Sequence, residues 1–286
     1  MTVDRYIVPP DGRFRLKRVD PDGHGSIESK ASAETLLAEG IGRLRELQQV
    51  LYAQDRWAVL LILQAMDTAG KDGAIEHVMS GVNPQGCRVV SFKRPSAEEL
   101  DHDYLWRTTK ELPARGDIGI FNRSYYEEVL VVRVHPEVLQ AQRIPPALVT
   151  PKIWRQRYED INAFEKYLSR NGYVIRKVFL HISKEEQRQR LLARLDDPDK
   201  LWKFEEGDLA ERGLWKSYMN AYEDAIRATS TKQAPWYVVP ADHKWFARLV
   251  VAHVLIDALE SLNLSYPAVD AKRRRLLRAL RGKLSR

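Results

Sequence analysis

Cysteine is almost missing: Cys87 is the only one in 286 residues. No intrachain disulfide and no cysteine-built metal cage can therefore form, and the setting expected is a reducing cytoplasm. No apolar run approaches the roughly 18 residues of a membrane span. The first twenty residues, MTVDRYIVPPDGRFRLKRVD, hold no apolar stretch of the kind a secretory leader needs. Internal repeats and low-complexity linkers are absent too, which leaves one folded domain with terminal extensions. Acid is missing from one long stretch, the tail 272–286, KRRRLLRALRGKLSR, which carries eight cations. The formal charge of the chain is +7 and falls to −1 without that tail. The tail reads either as an arm for polyanions or as an amphipathic helix with Leu276, Leu277, Leu280 and Leu284 against the body.

What is present is a globular composition, 44% apolar and 30% charged, with enough chain for a sizeable core. Residues 1–30 look irregular, punctuated by Pro9-Pro10-Asp11-Gly12 and Pro21-Asp22-Gly23. Leucine and isoleucine spacing over 31–54 predicts an amphipathic helix. Strand candidates follow at Trp57–Leu63, Arg88–Phe92, Ile118–Phe121, Val174–Ile182 and Tyr237–Val239. Helical patterns lie at about 73–80, 96–111, 123–132, 151–170, 184–195, 208–229 and 243–262. Continuous apolar strands separated by helices argue for an α/β fold with a five-stranded parallel sheet covered on both faces. The expected organisation is an N-terminal extension over 1–55, a core over 56–265 with a lid at about 184–216, and a basic tail over 266–286.

The segment LILQAMDTAGKDGAIEHV, residues 61–78, has the layout of a phosphate-binding P-loop but lacks two of its usual residues. Ala65 stands where glycine is usual, and Asp72 where Ser or Thr would bind Mg²⁺. The rest is in place. A strand leads into Thr68, Ala69, Gly70, Lys71, Asp72 and Gly73, and a helix starts there. Backbone N–H groups, a lysine and a helix N-terminus are the parts that hold phosphate. Asp67 lies inside the loop. A carboxylate among groups aimed at phosphate points to a role with Mg²⁺ or the acceptor; the plain alternative is an Asx cap of the turn.

A carboxylate is missing again after the strand 118–121, where P-loop enzymes place an Asp. This chain has Asn122, followed by Arg123. Arg123 falls at the C-terminal edge of the sheet, where open α/β folds bind ligands and a guanidinium can clamp a transferring phosphoryl group. Glu127 or Glu128 is placed to supply a carboxylate to the metal or to sit on a helix surface. Ser183 and Glu186 have capping-box spacing, and Arg190 and Arg194 share a face of the helix that follows. Lys200 and Lys203, in the turn-rich DDPDKLWKFEEGD, are placed to close over phosphates and exclude water. Lys93, Arg94, Arg133, Lys152 and Arg155 are further cations for a basic track.

Taken in order, QAMDTAGKDG, LWR at 105–107, IGIFNRSYYEEVLVVRVHP, HISKEEQRQRLLARLDDPDKLWKFEEGD, LWKSYMNAYEDAI and TSTKQAPWYVVPADHKW resemble the second family of polyphosphate kinases, over roughly residues 5–265. The resemblance implies a thymidylate-kinase-like P-loop fold and Mg²⁺-dependent, reversible phosphoryl transfer between inorganic polyphosphate and nucleotides. Many members have FDRSWY where this chain has FNRSYYEE. The Asn122 form with VLVVRVH is similar to the third subclass, which acts on both AMP and ADP. Carried over by position are Asp67, Lys71, Asn122 and Arg123, with Arg190 and Arg194. The assignment then expects Asp67, Asn122 and Glu127 at Mg²⁺, and loop residues 68–73 with Arg133, Arg190, Arg194, Lys200 and Lys203 on phosphates. It also implies a homodimer or homotetramer. The closest rival is an ATP-dependent nucleoside monophosphate kinase on the same fold; a nucleic-acid binder working through the tail is a more distant one.

Overall fold

The segment AVLLILQA is apolar almost throughout because both faces of the strand it forms are covered. This strand, β1 (Ala58–Ala65), is buried at every position. Val59, Leu61 and Leu63 join one core layer, and Leu60 and Ile62 join the layer on the opposite face, as the two-residue period of a strand requires. The computed structural model describes residues 1–205 and 207–285. In it β2 (Cys87–Ser91), β3 (Ile118–Asn122), β4 (Tyr173–His181) and β5 (Trp236–Pro240) complete a parallel sheet in the order β2-β3-β1-β4-β5. One face is covered by α1 (Lys30–Gln54), α2 (Lys71–Met79) and α6 (Lys244–Glu260). The other is covered by α3 (Ile153–Arg170), α5 (Trp215–Thr229) and the segment after β3.

Register fixes what meets at the sheet edge. Leu63 pairs with Asn122 on one side and with Val178 on the other. The loops that follow β1, β3 and β4 therefore leave the sheet side by side. The chain moves from β1 to the β2–β3 side and later to the β4–β5 side. The crevice at such a reversal is where open α/β sheets bind ligands.

Several expected helices are shorter or broken. Positions 96–111 form two short helices, Ala97–Leu100 and Trp106–Thr109. Positions 123–132 form a 3-10 turn, Tyr125–Val129, and a short helix, Val131–Val134. Arg123 sets this off, because its φ of 66° turns the chain before a helix can begin. The expected helix 208–229 is split into Gly207–Gly213 and α5. Ser183 caps α4 (Lys184–Leu195) by accepting from the Glu186 N–H, but Glu186 does not return the bond: its carboxylate goes to Arg190 at 2.6 Å. The N-terminal stretch is irregular yet attached. Val8 N–H donates to the Trp236 carbonyl at 2.8 Å, and Val3, Tyr6, Val8 and Leu16 are buried.

The tail is helical, α7 (Ala271–Leu284), but it does not lie on the body. Leu276, Leu277 and Leu280 are 48%, 43% and 42% exposed, and Leu284 is 88% exposed. These leucines are therefore not seated against the core, contrary to the expectation of a helix packed on the body.

Candidate active site

The loop between β1 and α2 takes its shape from two left-handed residues. Gly70, φ 99°, is the cap from which α2 starts, and Thr68 has φ 64°. A side chain at position 70 would be strained whatever the space around it. The turn is held from outside by α4. Arg190 donates to the Thr68 carbonyl at 3.1 Å and to the Ala241 and Asp242 carbonyls at 2.7 and 2.8 Å. Gln187 reaches the Asp67 carbonyl at 3.3 Å.

On the ligand side of this turn, charges alternate. Arg123 Nη2 lies 3.1 Å from Asp67 Oδ1. Asn122 Nδ2 donates to Asp72 Oδ1 at 2.5 Å. Lys71 Nζ folds back to the Ala65 carbonyl at 3.1 Å, so no carboxylate holds it directly. Burial, and after it the charge of Arg123, pushes the Lys71 amine below its usual pKa, against Asp67, Glu127 and Asp72. Burial pushes the Glu127 carboxyl up, against Arg123 and Lys71. Both shifts follow from partial burial of groups crowded together, while Asp67 and Arg123 stay partly open to solvent on the cleft side.

These residues line a cleft of about 1300 Å³ that crosses the C-terminal edge of the sheet. Towards β4 and β5 it carries Arg194, Lys200, Lys203, Lys244 and Arg248. Towards β2 and β3 it carries Lys93, Arg94, Tyr104, Arg107, Thr108 and Glu128. On that side the Tyr104 hydroxyl, and Thr108 Oγ1, are buried without a hydrogen-bond partner. The floor behind them is rigid. Lys177, fully buried, donates to Glu165 at 2.6 Å and to the Thr229 carbonyl at 2.7 Å, and Glu165 accepts from the Tyr125 and Tyr126 hydroxyls at 2.9 and 2.8 Å. This network fixes the two tyrosines that follow Arg123 and Ser124.

Asp67, residues 68–73, Asn122, Arg123, Glu127, Arg194, Lys200 and Lys203 all line the cleft. Two expected phosphate contacts do not. Arg133 is turned to Asp224 at 2.8 Å and to the Tyr158 hydroxyl at 2.9 Å. Arg190 is 8% exposed, with its donors given to Glu186 and to the carbonyls around the loop; it shapes the loop from behind. Lys244 and Arg248 were missed by sequence reasoning. They stand on successive turns at the start of α6, a helix whose long apolar run hides its charged first turns. The signal available was position alone: they follow the last strand, at the edge where the loop lies.

Mg²⁺ fits the donors present. Asp67 and Glu127 are carboxylates and Asn122 an amide on one wall, while Gln64 Oε1 and Thr68 Oγ1 are buried beside them without partners. Among the described residues no group of three His, Cys, Asp or Glu is arranged to hold a metal. Mg²⁺ asks for less: one or two carboxylates, with phosphate oxygens and water supplying the rest.

A strand, a left-handed turn capped by glycine, a lysine and a helix start, placed at the reversal of a parallel sheet, define a P-loop kinase of the thymidylate-kinase type. A family described as Polyphosphate kinase 2 (PPK2) matches residues 27–266, and the chain belongs to that family. It is similar to an ADP-polyphosphate phosphotransferase of Rhodopseudomonas palustris, 54% identical over 93% of this chain and 91% of that protein. It is also similar to an AMP/ADP-polyphosphate phosphotransferase of Meiothermus ruber, 51% identical over 92% of this chain and 95% of the relative. The crystal structure of polyphosphate kinase 2 from Arthrobacter aurescens TC1 superposes with a TM-score of 0.87 at 45% identity, covering 96% of this chain and 95% of that one.

Proposed function

We propose that this chain transfers phosphoryl groups between inorganic polyphosphate and adenine nucleotides, in both directions, with AMP and ADP as acceptors and Mg²⁺ as the metal. The Asp67–Arg123 pair carries the reading: it puts an acid and a guanidinium 3.1 Å apart on the rim of a phosphate loop. Relatives bearing the polyphosphate phosphotransferase names agree with it. The cations from Arg194 to Arg248 on the β4–β5 side suit a donor that has charge along its length and no base to recognise. The β2–β3 side, with a tyrosine, unpaired hydroxyls and Arg107, suits a nucleotide acceptor.

In this arrangement loop N–H groups and Lys71 hold the donor's terminal phosphates. Arg123 neutralises charge on the phosphoryl group in transit, and Asp67 orients the acceptor phosphate, whose oxygen already carries the negative charge needed to attack. Asp67, Glu127 and, more weakly, Asn122 would hold Mg²⁺, which when bound offsets phosphate charge. Lys200 and Lys203 close the cleft against water. Catalysis is then positioning and electrostatics. The proposal includes a cytoplasmic setting and assembly as a homodimer or homotetramer; among the described residues no helix is long and apolar enough to cross a membrane.

The test supplies polyphosphate, Mg²⁺ and AMP, ADP, GMP or GDP, without ATP. ATP formed from ADP, and ADP then ATP formed from AMP, is the expected result. Transfer only when ATP is the donor would point to a nucleoside monophosphate kinase, and products from only one tier of acceptor would reject the dual specificity.

A further inference from the structure

We propose that the C-terminal helix α7 is a second binding site for the polyphosphate chain, a tether outside the catalytic cleft. The inference rests on the donor assigned above. Lys272, Arg273, Arg274, Arg275, Arg278, Arg281 and Lys283 lie on this helix, which contains no acid. Every residue of the helix is exposed. Among the described residues, none of these seven cations has a carboxylate within ion-pair distance; the acid before them, Asp270, caps the helix by accepting from the Arg273 N–H at 2.7 Å. Arg274, Arg278 and Arg281 follow at helical spacing along one stripe, and Leu276, Leu277, Leu280 and Leu284 form the stripe beside it. The family match ends at residue 266, ahead of the helix.

The chemistry of the helix selects its occupant. Unneutralised guanidinium groups in a row match a linear polyanion. The helix has no aromatic side chain on which a base could stack, and no Asn or Gln to read a base edge. A polymer of phosphate alone needs neither. A second copy of the helix is a poor partner, because it would bring like charges together with no acid to offset them.

Position gives the tether a length dependence. α6 starts at the cleft with Lys244 and Arg248, and its 17 residues lead away from it; at 1.5 Å per residue it is about 25 Å long. α7 follows after ten further residues, outside the lining of the cleft. A chain long enough to reach from α7 to the phosphate loop can hold both sites at once, and its dissociation from one leaves it concentrated at the other. A short chain cannot.

The full-length quadruple variant Arg274→Gln, Arg275→Gln, Arg278→Gln, Arg281→Gln keeps the body intact and tests this directly. For long-chain polyphosphate its KM is expected to rise about tenfold at low salt, with kcat and the nucleotide KM unchanged. With a chain too short to reach from helix to loop, no parameter should change. Direct retention of labelled long-chain polyphosphate on a filter should fall in the variant and in the parent at high salt. Unchanged long-chain KM and retention would overturn the tether, as would an equal KM rise for short chains. Loss of binding to phosphatidylglycerol vesicles, or a change in oligomeric mass, with polyphosphate retention unchanged would also overturn it and reassign the helix. If the parent transfers nothing from polyphosphate, the donor assignment fails, and filter retention still decides whether the helix binds the chain.

Discussion

Asp67 and Lys71 are four positions apart in sequence and face different neighbours. Asp67 is held at the cleft rim by Arg123. Among the described residues Lys71 has a backbone carbonyl as its hydrogen-bond partner and no ion pair, and burial works against its charge. A polyanion at the loop would relieve that cost, in keeping with the phosphate contact proposed for Lys71. Asp67→Asn and Lys71→Ala should each lower kcat by about 10²–10³-fold, the scale for losing one group aimed at transition-state charge. Neither side chain supports the core, so thermal unfolding should stay at the parental temperature; a variant with near-normal turnover would remove its residue from the mechanism. Asp67, Lys71 and Arg123 were legible in sequence because each sits at a fixed offset from a strand end. Arg133 and Arg190 were misread for a shared reason: charge type and spacing do not say which way a long side chain turns. Arg133 found Asp224 and Tyr158, and Arg190 found three carbonyls brought to it by the loop and by the turn after β5.

At the scale of elements, the segment between α4 and α5, proposed as part of a lid, is a set of short pieces fastened at one end. The short helix Gly207–Gly213 is tied to the core through Glu211, which accepts from the Tyr218 hydroxyl at 2.5 Å and lies 2.9 Å from His135. Arg212 adds a bond to Gln187 at 2.9 Å. The stretch before it, Pro198–Lys203, has no buried residue. An element exposed on one side and anchored on the other can close over a ligand without disturbing the sheet. Replacing both Lys200 and Lys203 by alanine should raise the KM for polyphosphate about tenfold, the worth of one charge-assisted contact. It should also raise the share of phosphate lost to water. The ratio of inorganic phosphate to ATP in a single assay measures that leak; an unchanged ratio would deny these lysines a part in excluding water. The turn-rich character of the segment between α4 and α5, part of the stretch 184–216 proposed as a lid, was readable from its residues. Its internal break was not, because the helical pattern runs on through Gly213 and Leu214 while the backbone of Leu214, at φ −86° and ψ 11°, leaves the helix.

For the whole molecule, pH reports on the join between N-terminal segment, sheet and lid. His181 ends β4, is 8% exposed, and its Nδ1 has no hydrogen-bond partner. Burial lowers its pKa from 6.5 to about 4. The unfolded chain therefore binds a proton that the folded chain refuses between those values. Folding keeps this contribution in full above pH 6.5 and loses it as pH falls towards 4, a change of about 3 kcal/mol. Urea unfolding at about pH 7 and about pH 4.5 should show a smaller drop in stability for His181→Gln than for the parent. Equal drops in the two proteins would place the acid sensitivity elsewhere.

Sequence by itself determined the strands, the loop and the order of the motifs. A continuous apolar run, a glycine that must turn left-handed and a lysine at a helix start are local matters of sterics and solvation. Those constraints act between neighbours and leave a mark that can be read. Only the tertiary structure decided which charges share the cleft. Parallel pairing sets Leu63 beside Asn122, 59 positions later, and beside Val178, 115 positions later. That register brings Arg123 onto Asp67, puts Lys244 and Arg248 at the rim, and turns Arg133 and Arg190 away from it. The leucines and arginines of α7 alike stay exposed. Long side chains settle towards whatever partner the register delivers, and no pattern within the chain records that choice.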